Sequence, residues 1–515
     1  MLLCRRAVLA AATAVAAVMA APAFSASAPK VNPDLAQAAR SHGQVEALIV
    51  LVDQATPTIA PLSADADYKQ RRRALVQALR TRADRQQLSL RIWLESRGIA
   101  YRAFWIANML QATLSADDLE ALAARPEVAR LETNPSITAK LPQPERAAMT
   151  EPRSDATLAV EWGVAKIRAP EVWAAGISGQ GVVIGGADTG YRWAHAALQP
   201  HYRGWSGTAA DHNYNWHDAI HAANSQCPAD SPAPCDDSGH GTHTAGTFAG
   251  GDGGANQIGV APGAKWIGCR NMNAGNGTPA TYIECMQWMM APTDLAGNNP
   301  DPDLAPDIIS NSWGCPASEG CTVGNELAQA VSNVTAAGIL FVAAAGNAGP
   351  QCATIQDAPA TYATAFTVGA TDINDRLASY SSRGPLTANR MQTRTYQGKV
   401  DISAPGSNVR SAYSATGYSS LNGTSMATPH VAGAAALVMS AAPWLKGQPE
   451  VVMQLLRQTA QRTGITNTST QANQTCVRWT AADWPNPMIG WGRLDAFAAY
   501  QAAVQTQPPR AVGGR

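Results

Sequence analysis

The sequence has no excess of charge of either sign and, beyond its N-terminus, no long apolar run. Its 38 Lys and Arg residues equal its 38 Asp and Glu residues, so bulk electrostatics indicate neither a polyanion partner nor an acidic membrane surface. No segment after residue 28 reaches the roughly 20 consecutive apolar residues that a membrane-spanning helix needs. Hydrophobic residues still make up 46% of the 515 residues, which predicts a large buried core. We therefore expect a globular protein with no nucleic-acid partner and no membrane span after processing.

The first 28 residues have the pattern of a secretory signal peptide. Arg5 and Arg6 precede an apolar stretch from Ala7 to Ala23, and small residues follow it. These small residues favour cleavage of the signal peptide after Ala28, and residues 21–23 form a competing cleavage site. A retained membrane anchor is the alternative, although the stretch is shorter than a spanning helix. We therefore predict a secreted, extracellular protein, or a periplasmic one in transit.

Loss of the signal peptide removes Cys4 and leaves eight of the nine cysteines. An even number of cysteines in an exported protein is typical of disulfide bonds. Short spacings favour the pairs Cys227–Cys235 and Cys315–Cys321, but spacing alone leaves other connectivities and free thiols open. No spacing resembles a zinc site. We therefore predict disulfide bonds and assign no metal ligands.

Residues 45–140 alternate between strand and helix patterns, as expected of a small α/β unit. Tyr68–Arg97 is charged, with apolar residues at helical spacing, and predicts a helix. Ser115, with Asp118 three residues later, resembles the capping box that begins a helix. A segment rich in Pro and charge, 141–155, predicts a linker. Apolar runs predict strands at Val45–Val52, Ile99–Met109 and near Val128–Glu132.

From Trp162 onward, Gly, Ala and Ser dominate the composition. Gly-rich and polar stretches follow four short apolar runs, which suit parallel strands buried on both faces. An open α/β sheet binds its ligands at the carboxyl ends of its strands, so we expect functional residues in those stretches. The four runs are Val182–Ala187, Ile308–Ser310, Ile339–Ala345 and Phe366–Val368.

Two polar motifs, around Asp188 and His240, are candidates for chemistry. Asp188 ends the first apolar run and precedes Thr189 and Gly190, but an aspartate there is more often a turn or cap residue. His240 begins a predicted helix in the Gly-rich string 237–247. We interpret His243 as a packed residue, because no acidic partner lies at the helical spacing of a zinc site. Alone, each motif indicates chemistry only weakly.

The third motif is the string 421–433 around Ser425. Glycine lets the chain turn there into a helix predicted to begin at about Ser425. A serine at a helix start is normally an N-cap. Pro429 is compatible with a helix because it is predicted to fall in the first turn.

Together the three strings resemble the active-site signatures of the subtilisin-like serine peptidases. Their order, Asp188 then His240 then Ser425, is also that of the family. The resemblance covers about residues 160–499, and Met286–Gly314 looks most like the bacillopeptidase F branch. It implies an α/β fold of three layers around a central, mostly parallel sheet, preceded by a small α+β propeptide domain.

The resemblance also implies a role for each residue of the site. Ser425 would attack the peptide carbonyl, and His240 would take its proton and return it to the leaving amine. Asp188 would hold the imidazole in the required tautomer. Asn347, together with the backbone N–H of Ser425, would donate hydrogen bonds to the oxyanion of the tetrahedral intermediate.

Two further segments are similar to the family's substrate-binding strands. One would pair with an extended peptide by strand addition, and the other would form the opposite wall of the primary specificity pocket. The small residues leave a roomy pocket, and neither segment contains an acidic residue. Both features favour broad substrate specificity, with large apolar substrate side chains before the scissile bond. Trp313 is equally compatible with packing alone. The segments are Ser312, Trp313 and Gly314, and Ala344, Ala345 and Gly346.

By the same resemblance, residues 29–150 are a propeptide with its linker, 151–503 the peptidase domain and 504–515 a flexible tail. Ile137–Lys140 would lie in the active site and inhibit it. A separate binding domain is the alternative for residues 45–140. The implied partners are protein or peptide substrates and the chain's own propeptide, and we expect a monomer.

The family implies no cofactor for catalysis, although structural calcium is common in it and no motif here matches its ligands. Two segments are longer than a minimal family member needs: the one between Asp188 and His240, and Thr463–Pro487, which contains Cys476. An esterase with the same triad is disfavoured, because no Gly-x-Ser-x-Gly sequence surrounds Ser425. An inactive binding protein of this fold would be expected to lack one of the four chemical residues, and all four are present.

Overall fold

The computed structural model describes residues 30–54, 67–144, 149–150, 159–321, 324–386, 399–467, 476 and 484–506. The predicted signal peptide lies outside the described residues, as do most of the predicted linker, much of Thr463–Pro487 and most of the C-terminal tail. Within the described ranges, no helix is both long and apolar enough to cross a membrane.

The N-terminal part of the chain forms a four-stranded antiparallel sheet with its own core. Its elements are α1 (Pro33–His42), β1 (Gln44–Leu51), α2 (Tyr68–Ser96), β2 (Tyr101–Phe104), β3 (Met109–Ser115), α3 (Ala116–Ala123), β4 (Val128–Thr133) and a short β5 (Ile137–Thr138). The strand order is β2-β3-β1-β4. Ile49, Leu110 and Leu131 are fully buried in its core. Mixed helices and antiparallel strands agree with the predicted α+β unit.

The capping box predicted at Ser115 begins α3: Ser115 Oγ accepts from the Asp118 backbone, and Asp118 accepts from the Ser115 backbone. The single strand predicted over Ile99–Met109 is wrong, because a turn divides it into β2 and β3. Asn108 lies in this turn with φ 39°, a left-handed conformation that asparagine tolerates better than most residues. Its side chain donates to Asp53 O at 2.9 Å. A contact with a residue far along the chain therefore stabilises this turn.

The second part of the chain is built on a nine-stranded sheet in which one neighbouring pair is antiparallel and the others are parallel. Its strands are β8 (Val183–Asp188), β9 (Trp216–Asp218), β11 (Lys265–Arg270), β14 (Ile308–Asn311), β15 (Leu340–Ala344), β16 (Phe366–Thr371), β17 (Arg376–Leu377), β18 (Ile402–Pro405) and β21 (Thr466–Asn467). The order is β21-β17-β16-β15-β14-β8-β11-β9, with β18 on β16. All four predicted apolar runs are strands of this sheet, and its mostly parallel character is confirmed.

Short strands at the edges of this unit form three smaller sheets with one another or with the N-terminal part. They are β6 (Met149–Thr150), β7 (Ala159–Val160), β10 (Asn256–Gln257), β12 (Met272–Asn273), β13 (Asn276–Gly277), β19 (Val409–Ala412) and β20 (Tyr418–Leu421). The helices are α4 (Trp162–Lys166), α5 (Ala169–Ala174), α6 (His240–Ala249), α7 (Pro279–Met290), α8 (Gly324–Ala336), α9 (Thr424–Ala441), α10 (Pro449–Gln458) and α11 (Ala496–Gln505).

Helices cover both faces of the large sheet, which gives the three predicted layers. On β14, Ile308 packs into the core that contains α6 and α9, whereas Ile309 packs into the core that contains α7 and α8. Leu340 and Phe341 of β15 divide between the two cores in the same way. Successive side chains of a strand point to opposite faces, so a strand buried on both faces is a continuous apolar run.

Small residues allow α6 and α9 to pack closely. Helix α9 is buried from Thr424 to Met439. A Cβ at Gly433 would lie 2.6 Å from Val260 Cβ and 2.9 Å from Phe248 O, closer than a side chain tolerates. The first residue of α6 and the second residue of α9 are His240 and Ser425, so this contact determines how the two candidate residues are placed.

Pro429 is the sixth residue of α9 and not in its first turn as predicted. A proline has no N–H to bond the carbonyl four residues back, which here belongs to Ser425. The Ser425 carbonyl instead accepts a hydrogen bond from Ser312 Oγ at 3.0 Å. Because Pro429 cannot donate to the Ser425 carbonyl, this oxygen is free to accept the hydrogen bond that connects the residue after β14 with the start of α9.

Four disulfide bonds join the cysteines that follow the predicted signal peptide. The two pairs favoured by spacing, Cys227–Cys235 and Cys315–Cys321, are confirmed. Cys269–Cys285 and Cys352–Cys476 join residues 16 and 124 positions apart, and spacing alone did not identify them.

Removal of Cys352–Cys476 should destabilise the chain more than removal of Cys315–Cys321. The first closes a loop of 124 positions and the second a loop of 6, so the chain-entropy model predicts a difference of about 2–3 kcal/mol in the free energy of unfolding. Both double Cys→Ser variants would be unfolded in urea on a Ser425→Ala background, which prevents self-digestion. Equal losses from the two variants would contradict the prediction.

Candidate active site

Asp188 and His240 form a buried pair at the carboxyl end of β8. His240 Nδ1 lies 2.6 Å from Asp188 Oδ1, and the side chains are 1% and 2% exposed. The same carboxylate oxygen accepts from Thr189 N at 2.7 Å. A carboxylate can only accept, so Nδ1 carries the proton and Nε2 of the neutral imidazole is left with its lone pair.

Glycines bring the start of α6 against the end of β8. A Cβ at Gly241 would lie 2.1 Å from Gly190 O, which excludes any side chain there. Gly239, directly before the helix, has φ 92°, in the left-handed region that favours glycine. His240 can therefore approach Asp188 only because the residues on both sides of it are glycines.

Asp236 organises the start of α6, and sequence analysis missed it. Its buried carboxylate accepts hydrogen bonds from the backbone of Ser238, Gly239 and Thr242, and from the hydroxyls of Thr189 and Thr242. Gly239 is the N-cap residue, but an aspartate shortly before a helix can accept its free N–H groups as a capping residue does, and that signal could have identified Asp236. Asp236 is a positioning residue, since it acts on His240 through the helix start.

Ser425 lies next to β14, at the second position of α9. Its Oγ donates to Ser312 O at 3.3 Å, while Ser312 Oγ donates to Ser425 O. His240 Nε2 is buried and makes no hydrogen bond to any residue that the structure describes. Catalytic hydrogen bonds of this kind often form only in the substrate complex. The structure brings all three predicted residues to the carboxyl ends of the strands.

The Asn347 side chain is oriented by the start of α9. Its Oδ1 accepts from Thr424 N at 2.9 Å and Thr424 Oγ1 at 3.0 Å. A backbone N–H can only donate, so the atom facing it is Oδ1 and the Nδ2 donor points elsewhere. Thr424 Oγ1 also accepts from Gly346 N. Thr424, which sequence analysis did not single out, therefore ties the end of β15 to α9.

The Ser425 backbone N–H belongs to the first turn of α9, where N–H groups lack intrahelical acceptors. The positive end of the helix dipole lies at the same place. A Cβ at Gly423 would lie 3.6 Å from Asn347 Nδ2, so the amide is close to the helix start. Two donors are thus available beside Ser425 Oγ for a negatively charged oxygen.

The other histidines of the motifs are packing residues. His243 Nε2 lies 2.9 Å from Val409 O and 3.1 Å from Ser419 O, and burial lowers the pKa of His243 to about 3. Burial likewise lowers the pKa of His430 to about 4. Both rings are therefore neutral at physiological pH. Among the described residues, no group of three or more His, Cys, Asp or Glu could hold a metal ion.

The two predicted substrate segments line one cavity of about 430 Å³ together with Ser425 and Asn347. Ser312, Trp313 and Gly314 follow β14. Ala344 ends β15, and Ala345 and Gly346 follow it. The Trp313 ring also stacks on Tyr282, with centroids 3.9 Å apart. Trp313 therefore serves packing as well as the cavity wall.

The predicted inhibitory tail crosses this cavity. Its residues Ile137–Thr138 form β5, which pairs antiparallel with β13, and Ala139 N donates to Gly275 O at 2.9 Å. Residues 137–141 line the cavity beside Ser425. The tail thus adds a strand to an exposed edge, which is a common mode of peptide binding.

Two carboxylates that sequence analysis missed line the same cavity. Asp357 and Glu319 lie outside the two predicted segments, which indeed contain no acidic residue. A Cβ at Gly314 would lie 3.3 Å from Asp357 Cβ, so Asp357 is packed beside this wall. The cavity is therefore less apolar than those segments indicated.

The arrangement suits acyl transfer. Ser425 and Asn347 line one cavity. The buried Asp188–His240 pair lies at the carboxyl end of β8, the strand next to β14, and its Nε2 makes no hydrogen bond to a described residue. A peptide carbonyl bound along the edge that holds residues 137–139 would lie beside Ser425. No cofactor is needed for this chemistry.

Comparison with known proteins agrees with this geometry. The sequence profile described as "Subtilase family" matches residues 179–482. The chain is 33% identical to bacillopeptidase F from Bacillus subtilis (strain 168) over 503 residues, or 92% of this chain and 32% of that protein. It is 34% identical to the alkaline protease of Alkalihalobacillus alcalophilus, with 70% of this chain and 76% of that protein covered. It is 36% identical to subtilisin Savinase from Lederbergia lenta, with 60% and 94% covered.

Replacement of Asn347 by Leu should lower kcat and leave KM nearly unchanged. The amide donor is needed when the oxyanion forms, and loss of one such donor in subtilisin lowers turnover about 10²- to 10³-fold. Steady-state kinetics on a peptide substrate would be measured beside the melting temperature. A drop in activity that follows a drop in melting temperature would instead assign Asn347 a structural role through Thr424.

Proposed function

The chain belongs to the subtilase family, and we propose that it is a serine endopeptidase made as an inactive, secreted precursor. The observation that carries the proposal is the buried Asp188–His240 pair, whose Nε2 makes no hydrogen bond to any described residue. Asp188 ends β8, the strand beside β14, and the residue after β14, Ser312, contacts Ser425. The chain covers 32% of the length of bacillopeptidase F, and the proposed activity rests on this chain's own residues.

The proposed reaction proceeds through an acyl-enzyme. Ser425 Oγ leaves the Ser312 carbonyl, gives its proton to His240 Nε2 and bonds to the substrate carbonyl carbon. The oxygen gains negative charge and accepts from Asn347 Nδ2 and Ser425 N. The C–N bond then breaks as His240 protonates the leaving amine. Water, activated by the same imidazole, hydrolyses the ester and restores Ser425.

Asp188 contributes by orientation and charge. Its hydrogen bond holds the His240 proton on Nδ1 and stabilises the imidazolium that forms when Nε2 accepts the serine proton. Thr244 Oγ1, at 3.4 Å from Asp188 Oδ2, and Thr189 N, at 2.7 Å from Oδ1, also donate to this carboxylate and hold it in place.

Residues 29–150 are proposed to be a propeptide that blocks the cleft until it is removed. Two backbone N–H groups of its β2–β3 turn, from Trp105 and Ile106, donate to Gln287 Oε1 at 2.6 and 3.2 Å. The Ile106 carbonyl accepts from the buried Asn333 Nδ2 at 2.7 Å. These contacts support a docked inhibitor more than an independent binding domain.

Secretion is proposed from the pattern of residues 1–28, with the disulfide bonds as support, since such bonds persist in oxidising compartments. Protein or peptide substrates are proposed from the open cleft and from the relatives named as proteases. The small residues Ala344–Gly346 leave room for a large side chain before the scissile bond, which supports the predicted breadth. Two carboxylates in the same cavity, however, oppose a purely apolar preference.

Ser425→Ala should remain a full-length, inactive precursor. The wild-type precursor should lose roughly its first 140–155 residues and digest casein, because self-processing needs the serine nucleophile. Both chains would be followed on a gel and by casein hydrolysis, and a fluorophosphonate should label only the wild type. Identical behaviour of the two chains would overturn the proposed function.

Gln287→Leu should shorten the lag before activity appears in the wild-type precursor. The apolar side chain leaves two docked N–H groups without an acceptor, which should weaken propeptide binding by on the order of tenfold. The time course of casein hydrolysis after dilution measures the lag. Gln287→Glu keeps the acceptor and is the matched control. An unchanged lag in Gln287→Leu would show that the turn does not hold the propeptide.

A further inference from the structure

The cavity beside Ser425 contains two carboxylates that form no ion pair with any described residue. Asp357 and Glu319 both line it. Within the described part of the chain, the Asp357 carboxylate makes no hydrogen bond or ion pair, and Glu319 accepts only the backbone N–H of Thr138 at 2.8 Å. Two carboxylates without a cation are unfavourable in a partly buried site unless a ligand supplies the charge.

The surroundings of Asp357 make a charged partner favourable. Its carboxyl lies next to the Gly314 wall, with Oδ2 3.6 Å from the position of a Cβ there. Burial raises the pKa of Asp357, and repulsion from Glu319 raises it further. A cation in the cavity would reverse both effects, since it would replace lost solvation and offset the repulsion.

The remaining walls suit the stem of a long basic side chain. Ala344, Ala345 and Gly346 offer small, apolar contacts along a cavity of about 430 Å³. Lys and Arg bury their methylene stems against such surfaces while the charged group reaches a polar partner. Among the described residues that line the cavity, Lys140 is the single cation, and it belongs to the tail that crosses the cleft.

We propose that Asp357, assisted by Glu319, makes this pocket select Lys and Arg immediately before the scissile bond. The inference rests on the proposed peptidase function, and it replaces the apolar preference that Ser312–Gly314 and Ala344–Gly346 alone indicated. Asp357 is the principal determinant because it is the more buried carboxylate, whereas Glu319 is exposed. In the precursor, a basic residue of the tail, Lys140, already lines this cavity.

The test compares chromogenic peptides that differ only in the residue before the cleaved bond. Mature enzyme from the full-length chain would be assayed on Arg, Lys, citrulline, Leu and Phe peptides, with active sites titrated by a fluorophosphonate. Citrulline matches arginine in size and lacks its charge. We expect kcat/KM for Arg and Lys to exceed that for citrulline and Leu by about tenfold or more, as for a charge pair formed in a partly desolvated site.

Asp357→Asn should lower kcat/KM for Arg and Lys by about 10- to 100-fold, and change that for Leu and Phe by less than about threefold. Glu319→Gln should have a smaller effect in the same direction. Glu450→Gln, an exposed carboxylate on α10 that does not line the cavity, is the matched control and should change no ratio.

The outcomes separate this proposal from the proposed function. Labelling of Ser425 and cleavage of casein without preference for Arg over citrulline would overturn the specificity and leave the peptidase intact. An Arg-to-Leu ratio unchanged in Asp357→Asn would do the same. Absence of labelling and of all cleavage in the wild type would instead overturn the peptidase function. If Asp357→Asn does not fold, the wild-type comparison of Arg with citrulline decides the proposal.

Discussion

The close approach of helix α6 to the carboxyl end of β8, and of α9 to the α6 region, is the constraint on which the site depends. Gly241 lets α6 reach the end of β8, where a side chain would meet Gly190 O at 2.1 Å. Gly433 lets α9 lie against the segment that follows α6. Because these positions lack side chains, α6 can place His240 on Asp188, and α9, whose second residue is Ser425, can pack against the α6 region.

Hydrogen bonds then fix the orientation that packing makes available. Asp236 receives the free N–H groups at the start of α6, and Thr424 links the start of α9 to Asn347. Pro429 removes one helical hydrogen bond and so frees the Ser425 carbonyl for Ser312. The candidate site is thus supported by residues outside the predicted triad, which orient the groups predicted to carry out the chemistry.

The exposed edge of β13 is proposed to bind both the tail of the N-terminal unit and an extended substrate. Strand β13 pairs with the tail of the N-terminal unit, and an extended substrate would need the same free backbone groups. In the proposed function, inhibition and substrate binding compete for the same hydrogen bonds, whose geometry does not depend on the side chains of the bound segment. Selectivity must come from the cavity walls, where Asp357 and Glu319 supply charge.

Much of this could be predicted from local sequence. Buried parallel strands are continuous apolar runs, so four strands were found within a few residues of their observed ends. The Ser115 capping box was found because its hydrogen bonds join residues three apart. The Asp188, His240 and Ser425 motifs were identified through the family resemblance of their flanking small residues. Contacts between distant residues were not predicted: Cys352 pairs with Cys476, and a turn divides the strand expected at Ile99–Met109.

The sequence by itself determined the strand periods, the helix starts and the residues available for chemistry, because each depends on neighbours along the chain. Only the tertiary structure decided which side chains share the cavity. Asp357 follows Asn347 by ten positions, and Glu319 ends a short 3-10 helix, Ala317–Glu319. Both nevertheless line the cavity that Ala344, Ala345 and Gly346 also line. Their charge matters through distance and burial, and neither quantity exists until the chain has folded.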